Sequence, residues 1–400
     1  MTTIREFSIT GLAGRPGKIR QVLDPKINIF WGLNGTGKTT LLKILDAALN
    51  NTTAQLVDLP FTSAEVSFFS EAHGIEFVRS IERSSLQPTT VDDDPDHEWE
   101  IFHDPEHDGR VSYRIQKTPE SSIWKTVALS GHADDASLKE PYKHRYLPIS
   151  RMLEPVEGER VSLSESADER FVRRVSQVWS RYNAKSLAEV RDIQQLGLAE
   201  ILAILFGGKA QASGPDALGG TDSEKETEPD DAFDIVSSFL AGQQITLPLG
   251  KRDFTARYEH SDQHRHVVSR IRSITKQVDQ VLAPQRELQA VVDEMYIGNK
   301  HLVLSRRIGR RNIQVRIDTE SISLAALSSG EKQLLQILLE TLAVEESVIM
   351  IDEPELSLHP DWQKRLIGSM RRVNSTGQFL LATHSPELMI DVADECVFEL

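Results

Sequence analysis

The sequence predicts an α/β fold in three parts: a core sheet of mixed strands, an antiparallel β subsheet and an inserted short helical hairpin. Three observations carry that expectation. A short apolar strand, a glycine-rich turn and an amphipathic helix follow one another from Ile27 to Leu49. Far downstream, four apolar residues in a row, Val348 to Ile351, end on Asp352 and Glu353. Between these lie two stretches whose apolar residues recur at spacings of four and three, as helices do along a packed seam.

Ile4 to Gly11 alternates as a first strand, and Ile27 to Trp31 reads as a buried one. Gly32 to Lys38 is the glycine turn. From Thr39 onward Leu41, Leu42, Ile44, Leu45, Ala48 and Leu49 keep a helical period. Strand, glycine loop and helix give the pattern its chemistry. Glycines let successive backbone N–H groups turn inward around phosphate oxygens, and the helix directs its positive end to the same place. Asn34, Gly35, Thr36, Gly37, Lys38, Thr39 and Thr40 are therefore candidate nucleotide-binding residues. In this reading Lys38 reaches the β and γ phosphates and the Thr39 hydroxyl ligates Mg²⁺, so ATP and Mg²⁺ are the expected cofactors.

Glu65 to Ser70, Gly74 to Ser80 and Arg110 to Gln116 alternate as an antiparallel subsheet should, and Tyr146 to Ile149 returns to the core. Val348 to Ile351 has the continuous apolar character of a strand covered on both faces. Carboxylates at the C-terminal end of such a strand face the crevice where open parallel sheets bind ligands. Asp352 suits the metal side of that crevice, and Glu353 suits a general base on attacking water. Gln378 to Ala382 is a further apolar strand running into Thr383-His384-Ser385. His384, alone among twelve histidines, is placed to donate to a γ-phosphate or a catalytic water. Glu355 to Pro360 forms a turn that meets a partner subunit.

Leu327-Ser328-Ser329-Gly330-Glu331-Lys332-Gln333 lies between these pieces. Alone it says little. Between a P-loop and an Asp-Glu strand end, it implies an ATP site shared between two subunits. In this order the motifs resemble the ABC-type ATPases of the SMC, RecF and OLD group, and among them the compact bacterial, PtuA-like or AriA-like members tied to antiphage defence or DNA repair. The resemblance covers 1–150 and 321–400. It implies a slow, Mg-dependent ATPase working as a head-to-head dimer or higher oligomer around two ATP molecules. Lys38 and Asp352 of one subunit would then face Ser328, Ser329, Gly330 and Glu331 of the other. Two departures stand out. Ser329 replaces the first of the usual two glycines, and His359 stands where transporter ATPases carry aspartate. An upstream strand that often ends on a glutamine reads Tyr146-Leu147-Pro148-Ile149-Ser150-Arg151 here; Ser150 or Arg151 fills its role, or nothing does.

The expected organisation is an N-terminal ATPase lobe at 1–151, an inserted arm at 152–320 and a C-terminal lobe at 321–400. Phe171, Val175, Val178 and Tyr182 mark one arm helix; Val267, Ile271, Ile274, Val278 and Val281 mark the other. Pro284 should kink or end the second. Leu198 to Phe206 is apolar enough to be core, or else a partner contact. Residues 209–231, rich in Gly, Ser, Asp and Glu, read as a disordered linker. Leu302 to Leu304 and Ile313 to Ile317 make a hairpin leading into the Ser-Gly-Glu helix. Its turn carries Lys300, Arg306, Arg307, Arg310 and Arg311, a grip for DNA phosphates or for an acidic partner. No aromatic residues interleave there, which excludes base stacking. His260, His264 and His266 lack a cysteine or a recognised metal spacing, and read as a solvated helix start.

The net charge is −15, but it is local. Asp92 to Asp108 holds nine acids with no Lys or Arg, and Thr221 to Asp231 holds six acids against Lys225. Both runs read as solvated loops, so the acidity does not argue against nucleic acid. No run of 18 apolar residues exists, which excludes a membrane span. The single cysteine, Cys396, excludes an internal disulfide and points to the cytosol. Three classes remain: a defence switch that holds an effector nuclease or toxin in trans, a DNA-binding maintenance ATPase, and a transporter ATPase. The long insert and the Glu-Leu-Ser-Leu-His-Pro turn disfavour the last. The short arm and the end at Leu400, with no TOPRIM nuclease after the histidine loop, favour the first.

Overall fold

A computed structural model describes residues 2–86, 124–129, 135–148, 166–206, 228–242, 245–305 and 313–400. It divides into two units, Met1–Val172 with Leu324–Leu400, and Arg173–Ser323. In chain order the first unit contributes β1 (Thr2–Thr10), β2 (Lys18–Val22), β3 (Ile27–Trp31), α1 (Lys38–Asn50), β4 (Ser63–Ser70), β5 (Ile75–Glu82), β6 (Lys125–Ala128), α2 (Asp135–Lys139) and β7 (His144–Leu147). The long helix α3 (Ala167–Leu205) follows. The second unit adds α4 (Pro229–Gly242), α5 (Lys251–His260), α6 (Asp262–Met295), β8 (Lys300–Leu304), β9 (Ile313–Ile317) and β10 (Glu320–Ile322). The chain re-enters the first unit with α7 (Ser329–Val344), β11 (Val348–Asp352), α8 (Pro360–Val373), β12 (Gln378–Thr383) and β13 (Val397–Glu399).

The first unit holds two five-stranded sheets. The core sheet runs β13-β3-β12-β11-β7, and every pairing in it is parallel. The subsheet runs β2-β1-β4-β5-β6, antiparallel throughout. The α/β class, the subsheet and the inserted helices are as expected; the two strand senses segregate into separate sheets. Burial explains the two textures. β11 and β12 are buried along their whole length because both faces are covered. β4 and β5 bury every second residue, since a strand points alternate side chains to opposite faces. Phe68 and Phe77 face each other across that pair with rings 5.7 Å apart.

Leu41, Leu42, Leu45 and Leu49 of α1 fill the core with Phe68, Phe77, Val348, Met350 and Leu380. Gln378, fully buried at the start of β12, ties the two sheets together. Its side chain accepts from Ile4 N at 2.8 Å and donates to Ile4 O at 2.9 Å and Asp24 O at 2.8 Å. A register slip between Ile4 and Glu6 lies beside this clamp. The edge strand β7 is held through polar side chains: His144 Nε2 lies 2.8 Å from Asp46 of α1, and Arg145 donates to Glu340 of α7 at 2.7 Å.

In the second unit α3 and α6 run antiparallel. Gln263 donates to Ile204 O and Leu205 O at 2.8 Å, Arg270 pairs with Glu200, and Gly197 abuts Ile274. Ile201, Val268, Ile271 and Ile274 pack there with Val236 of α4 and Phe254 and Tyr258 of α5. β8, β9 and β10 form an antiparallel three-stranded sheet.

Several expectations need correction. α6 neither ends nor breaks at Pro284; it continues to Met295. Leu288, Val291, Val292 and Met295 beyond the proline are buried, each worth about 1.5–3 kcal/mol. Together they outweigh the ~3 kcal/mol that an interior proline costs. Phe171, Val175, Tyr182, Ile271 and Ile274 are buried as the seams require, but Trp179 is more buried than Val178, and Val268 and Leu282 more than Val267 and Val281. Leu198, Leu202, Leu205 and Phe206 are exposed rather than core, because only the face bearing Ile201 meets α6. The helix start expected at His260 to His266 is a junction of two helices: α5 stops at His260, whose ring bonds Ala256 O, and Ser261 caps α6. The presumed linker at 209–231 ends in helix, since α4 starts at Pro229. The rest of that segment lies outside the described residues. So do Arg110 to Gln116, the acids of Asp92 to Asp108, Ser150, Arg151 and the turn with Arg306, Arg307, Arg310 and Arg311. Among the described residues no helix is long and apolar enough to cross a membrane.

Candidate active site

β3 ends at Trp31 and the chain turns through Gly32 to Gly37 before α1 begins at Lys38. Gly37 sits at φ 104°, and a Cβ there would come within 3.0 Å of Leu12 and Ala13 in the loop after β1. Both the conformation and the close approach demand glycine. The loop at Leu12 and Ala13, which sequence reasoning passed over, thus forms one wall of the site. The first helical bond of α1 is Leu41 N to Gly37 O at 2.8 Å. The N–H groups of Lys38, Thr39 and Thr40 therefore precede the helical ladder and face the turn, an anion-binding arrangement. Asn34 and Gly35 are exposed at the turn's tip, while Thr36 is buried with its hydroxyl oxygen orphaned.

Lys38 is 5% exposed, and its ammonium donates to Gly32 O at 2.7 Å and Leu33 O at 3.2 Å. Thr39 Oγ1 donates to Asp352 Oδ2 at 2.7 Å. This bond joins the two candidate metal ligands across 313 residues of sequence. Asp352 is buried and its Oδ1 has no partner. Burial raises its carboxyl above the usual range, against the Thr39 hydroxyl and the Lys38 ammonium. A hydroxyl beside an orphaned buried carboxylate oxygen is the hard donor set Mg²⁺ takes from a protein, so the residues fit that ion.

Glu353 follows at φ 49°, a conformation costing a non-glycine residue of order 1–3 kcal/mol. Its N–H donates to Ala382 O at 2.8 Å, which fixes the turn. The carboxylate is buried, 3.7 Å from the Lys38 ammonium, and touches His384 Nδ1. Burial first, then neighbouring Glu355, pushes Glu353 up to about 7, while His384 and Lys38 pull the other way. A base poised near neutrality is what water activation needs. His384 is half-exposed, so its ring reaches outward from a fixed backbone.

Glu355, the first residue of the turn expected to meet a partner subunit, is buried. It accepts from Thr383 Oγ1 at 2.5 Å and from His384 N at 3.0 Å. Its position two residues past the base was the only sequence signal for it. Among the described residues, Glu353, Glu355 and His384 are the group whose metal-ligating atoms all lie within 4.8 Å of one another. The Lys38 ammonium beside Glu353 disfavours a second cation there.

Ser328 caps α7 in a reciprocal arrangement with Glu331. Ser328 N donates to Glu331 Oε2 at 2.8 Å, and Glu331 N donates to Ser328 Oγ at 3.3 Å. Such a box removes two orphan donors at a helix start. Ser328 and Ser329 are exposed; Gly330 and Glu331 are buried. The structure thus brings Lys38, Thr39, Asp352, Glu353 and His384 together. It sets Ser328 to Glu331 against the turn after Glu353, where Gln333 donates to Pro354 O at 3.4 Å. A Cβ on Gly330 would lie 2.7 Å from Ser357 O. Because that atom is backbone, Gly330→Ala is expected to cost about 1–3 kcal/mol in urea unfolding; an unchanged midpoint would contradict the packing described. His359 caps α8, its ring accepting from Asp361 N at 3.3 Å.

Residues 226–391 match the family model described as "AAA domain, putative AbiEii toxin, Type IV TA system". The retron Ec83 probable ATPase of Escherichia coli is 31% identical over 121 residues, 26% of this chain and 22% of that protein. The retron Vc95 probable ATPase of Vibrio cholerae serotype O1 biovar El Tor is 23% identical over 184 residues, 40% of this chain and 35% of that protein. The chain therefore spans about a fifth to a third of the length of these relatives. Among solved structures, an Smc head domain with an extended coiled coil from Pyrococcus furiosus, bound to the C-terminal domain of ScpA, aligns with 97% of this chain and 91% of its own. It does so at 13% identity and a TM-score of 0.44.

Proposed function

We propose that the chain is an ABC-type ATPase of the SMC, RecF and OLD group that binds ATP with Mg²⁺, dimerises head to head around it, and switches a partner effector on hydrolysis. The observation that carries this reading is the convergence of Lys38, Thr39, Asp352, Glu353 and His384 at the C-terminal ends of β3, β11 and β12. Parallel sheets bind ligands at that end.

In this reading the turn from Asn34 to Thr40 wraps the phosphates with backbone N–H groups. The Lys38 ammonium exchanges Gly32 O and Leu33 O for the β and γ phosphate oxygens. Thr39 and Asp352 hold Mg²⁺, which neutralises charge developing on the phosphates. Water attacks the γ-phosphorus, the bond from that phosphorus to the β–γ bridging oxygen breaks, and the water's proton passes to the Glu353 carboxylate. His384 donates to the transferred phosphoryl group or orients the water. Ser328, Ser329 and Gly330 of a second copy close over the γ-phosphate with the N-terminus of α7. Glu331 keeps that helix start in shape through the capping box.

The similarity to two retron ATPases supports a place in antiphage defence, with an effector nuclease or toxin acting in trans. The alternative, direct DNA binding, rests on Arg306, Arg307, Arg310 and Arg311, which lie outside the described residues. Ser328→Arg tests the shared site. ATP affinity should stay within about threefold of the parent, because the residue belongs to the opposite subunit's site. ATP-driven dimerisation in light scattering should be lost. If binding and assembly fell together, the trans arrangement would be wrong.

A further inference from the structure

Glu355 has no part in the shared site proposed above, yet its surroundings are those of a built site rather than a turn. It is 6% exposed, whereas the next residue, Leu356, is 46% exposed. One carboxylate oxygen takes the Thr383 hydroxyl at 2.5 Å and the His384 N–H at 3.0 Å, and lies 3.4 Å from His384 Nδ1. The Thr383 hydroxyl in turn accepts from Ser385 N at 2.9 Å. The last residue of β12 and the next two thus hang, directly or through Thr383, from a single side chain on the neighbouring strand's exit. A hydroxyl or an amide on a surface turn would suffice to close a loop. Burying a carboxylate next to Glu353 costs several kcal/mol unless it is compensated; His384 with Thr383 satisfies one of its two oxygens, and Oε2 has no hydrogen-bond partner.

We propose that Glu355 is a positioning residue for hydrolysis: it fixes the backbone and ring of His384 against Glu353, and so sets where the attacking water is held. It touches no phosphate and acts through His384 and through the neighbouring Glu353. This rests on the ATPase reading above. Because orientation of reacting groups within an ångström governs rate, its loss should slow turnover without weakening ATP binding. A residue that merely stabilised the fold would move both.

The test is steady-state ATP hydrolysis by the full chain and by Glu355→Ala, Glu355→Gln, His384→Ala and the double variant Glu355→Ala/His384→Ala. Glu355→Ala should lower kcat about 100-fold with KM within about threefold of the parent. Glu355→Gln keeps an acceptor for Thr383 and His384 N, and should recover part of the rate while remaining folded. The double variant should be slowed by much less than the product of the two single losses, since part of what Glu355 does passes through His384. Multiplicative losses in the double variant, or a kcat for Glu355→Ala equal to the parent's, would overturn the inference. An inactive parent chain would instead sink the ATPase reading, and the inference with it.

Discussion

Glu353→Gln is expected to lower kcat by about 10²- to 10⁴-fold while leaving ATP affinity unchanged, and to accumulate an ATP-bound dimer. The substitution removes one proton acceptor and changes almost nothing else. Glutamine fits the same space and accepts the same backbone conformation at φ 49°. Its carbonyl oxygen still faces the Lys38 ammonium from the side where Glu353 Oε1 lies at 3.7 Å. The proposed metal ligands Thr39 and Asp352 are untouched, because their mutual bond does not involve residue 353. Binding therefore survives, and only removal of the water's proton fails. In a shared site, failed hydrolysis means failed separation, so the dimer persists. Light scattering with ATP and a single-turnover assay check both halves. A monomer in ATP would contradict the dimer, and turnover above a tenth of the parent's would contradict Glu353 as the base.

Which parts of this site could be read in advance follows from the range of the interactions that make them. Lys38, Thr39, Asp352 and Glu353 sit at strand ends and helix starts whose local patterns are strong: an apolar strand, a glycine turn, a helical period. Those patterns place a residue on its element, and the parallel sheet brings the ends together. Glu355 was not legible, because its burial depends on where the loop of Thr383 to Ser385 comes to rest, and that is set by a different strand. The run from Leu198 to Phe206 misled for the opposite reason. Its apolar residues are local fact, but a helix can bury only the face another helix covers, and α6 covers the side of Ile201. Pro284 misled because a penalty of ~3 kcal/mol is decisive in an isolated helix and minor beside a buried seam. Arg79 left no sequence signal: it occupies an inward position of an alternating strand, where an apolar residue belongs.

Arg79 also carries the largest expected effect on stability. It is fully buried in β5, and every guanidinium donor is used. Nε donates to Thr126 Oγ1 at 3.3 Å, one terminal nitrogen to Ala48 O at 2.5 Å and Leu49 O at 3.1 Å, the other to Leu138 O at 3.3 Å and Glu140 O at 2.7 Å. Ala48 and Leu49 form the last turn of α1, so the cation sits at the negative end of the P-loop helix. Phe68 and Tyr142 flank it at 5.3 and 5.1 Å. Burial still pulls the guanidinium down to about 10, a mark of its desolvation cost. Replacing a buried charge by an apolar side chain can stabilise a protein when both partners are replaced. Here the partners are backbone carbonyls and cannot be. Leu49 O keeps the Tyr142 N–H at 2.9 Å, but Ala48 O, Leu138 O and Glu140 O lose this donor. At about 1–3 kcal/mol for each buried acceptor left unpaired, less the recovered desolvation, Arg79→Met should cost about 3–5 kcal/mol. The melting temperature of the first unit should fall by roughly 10 °C. Arg79→Lys keeps the charge but has only three donors without the planar fork, and should fall between. Thermal and urea unfolding decide it: a loss below about 1 kcal/mol for Arg79→Met would mean that these carbonyls find other partners and that α1 is not anchored through this residue.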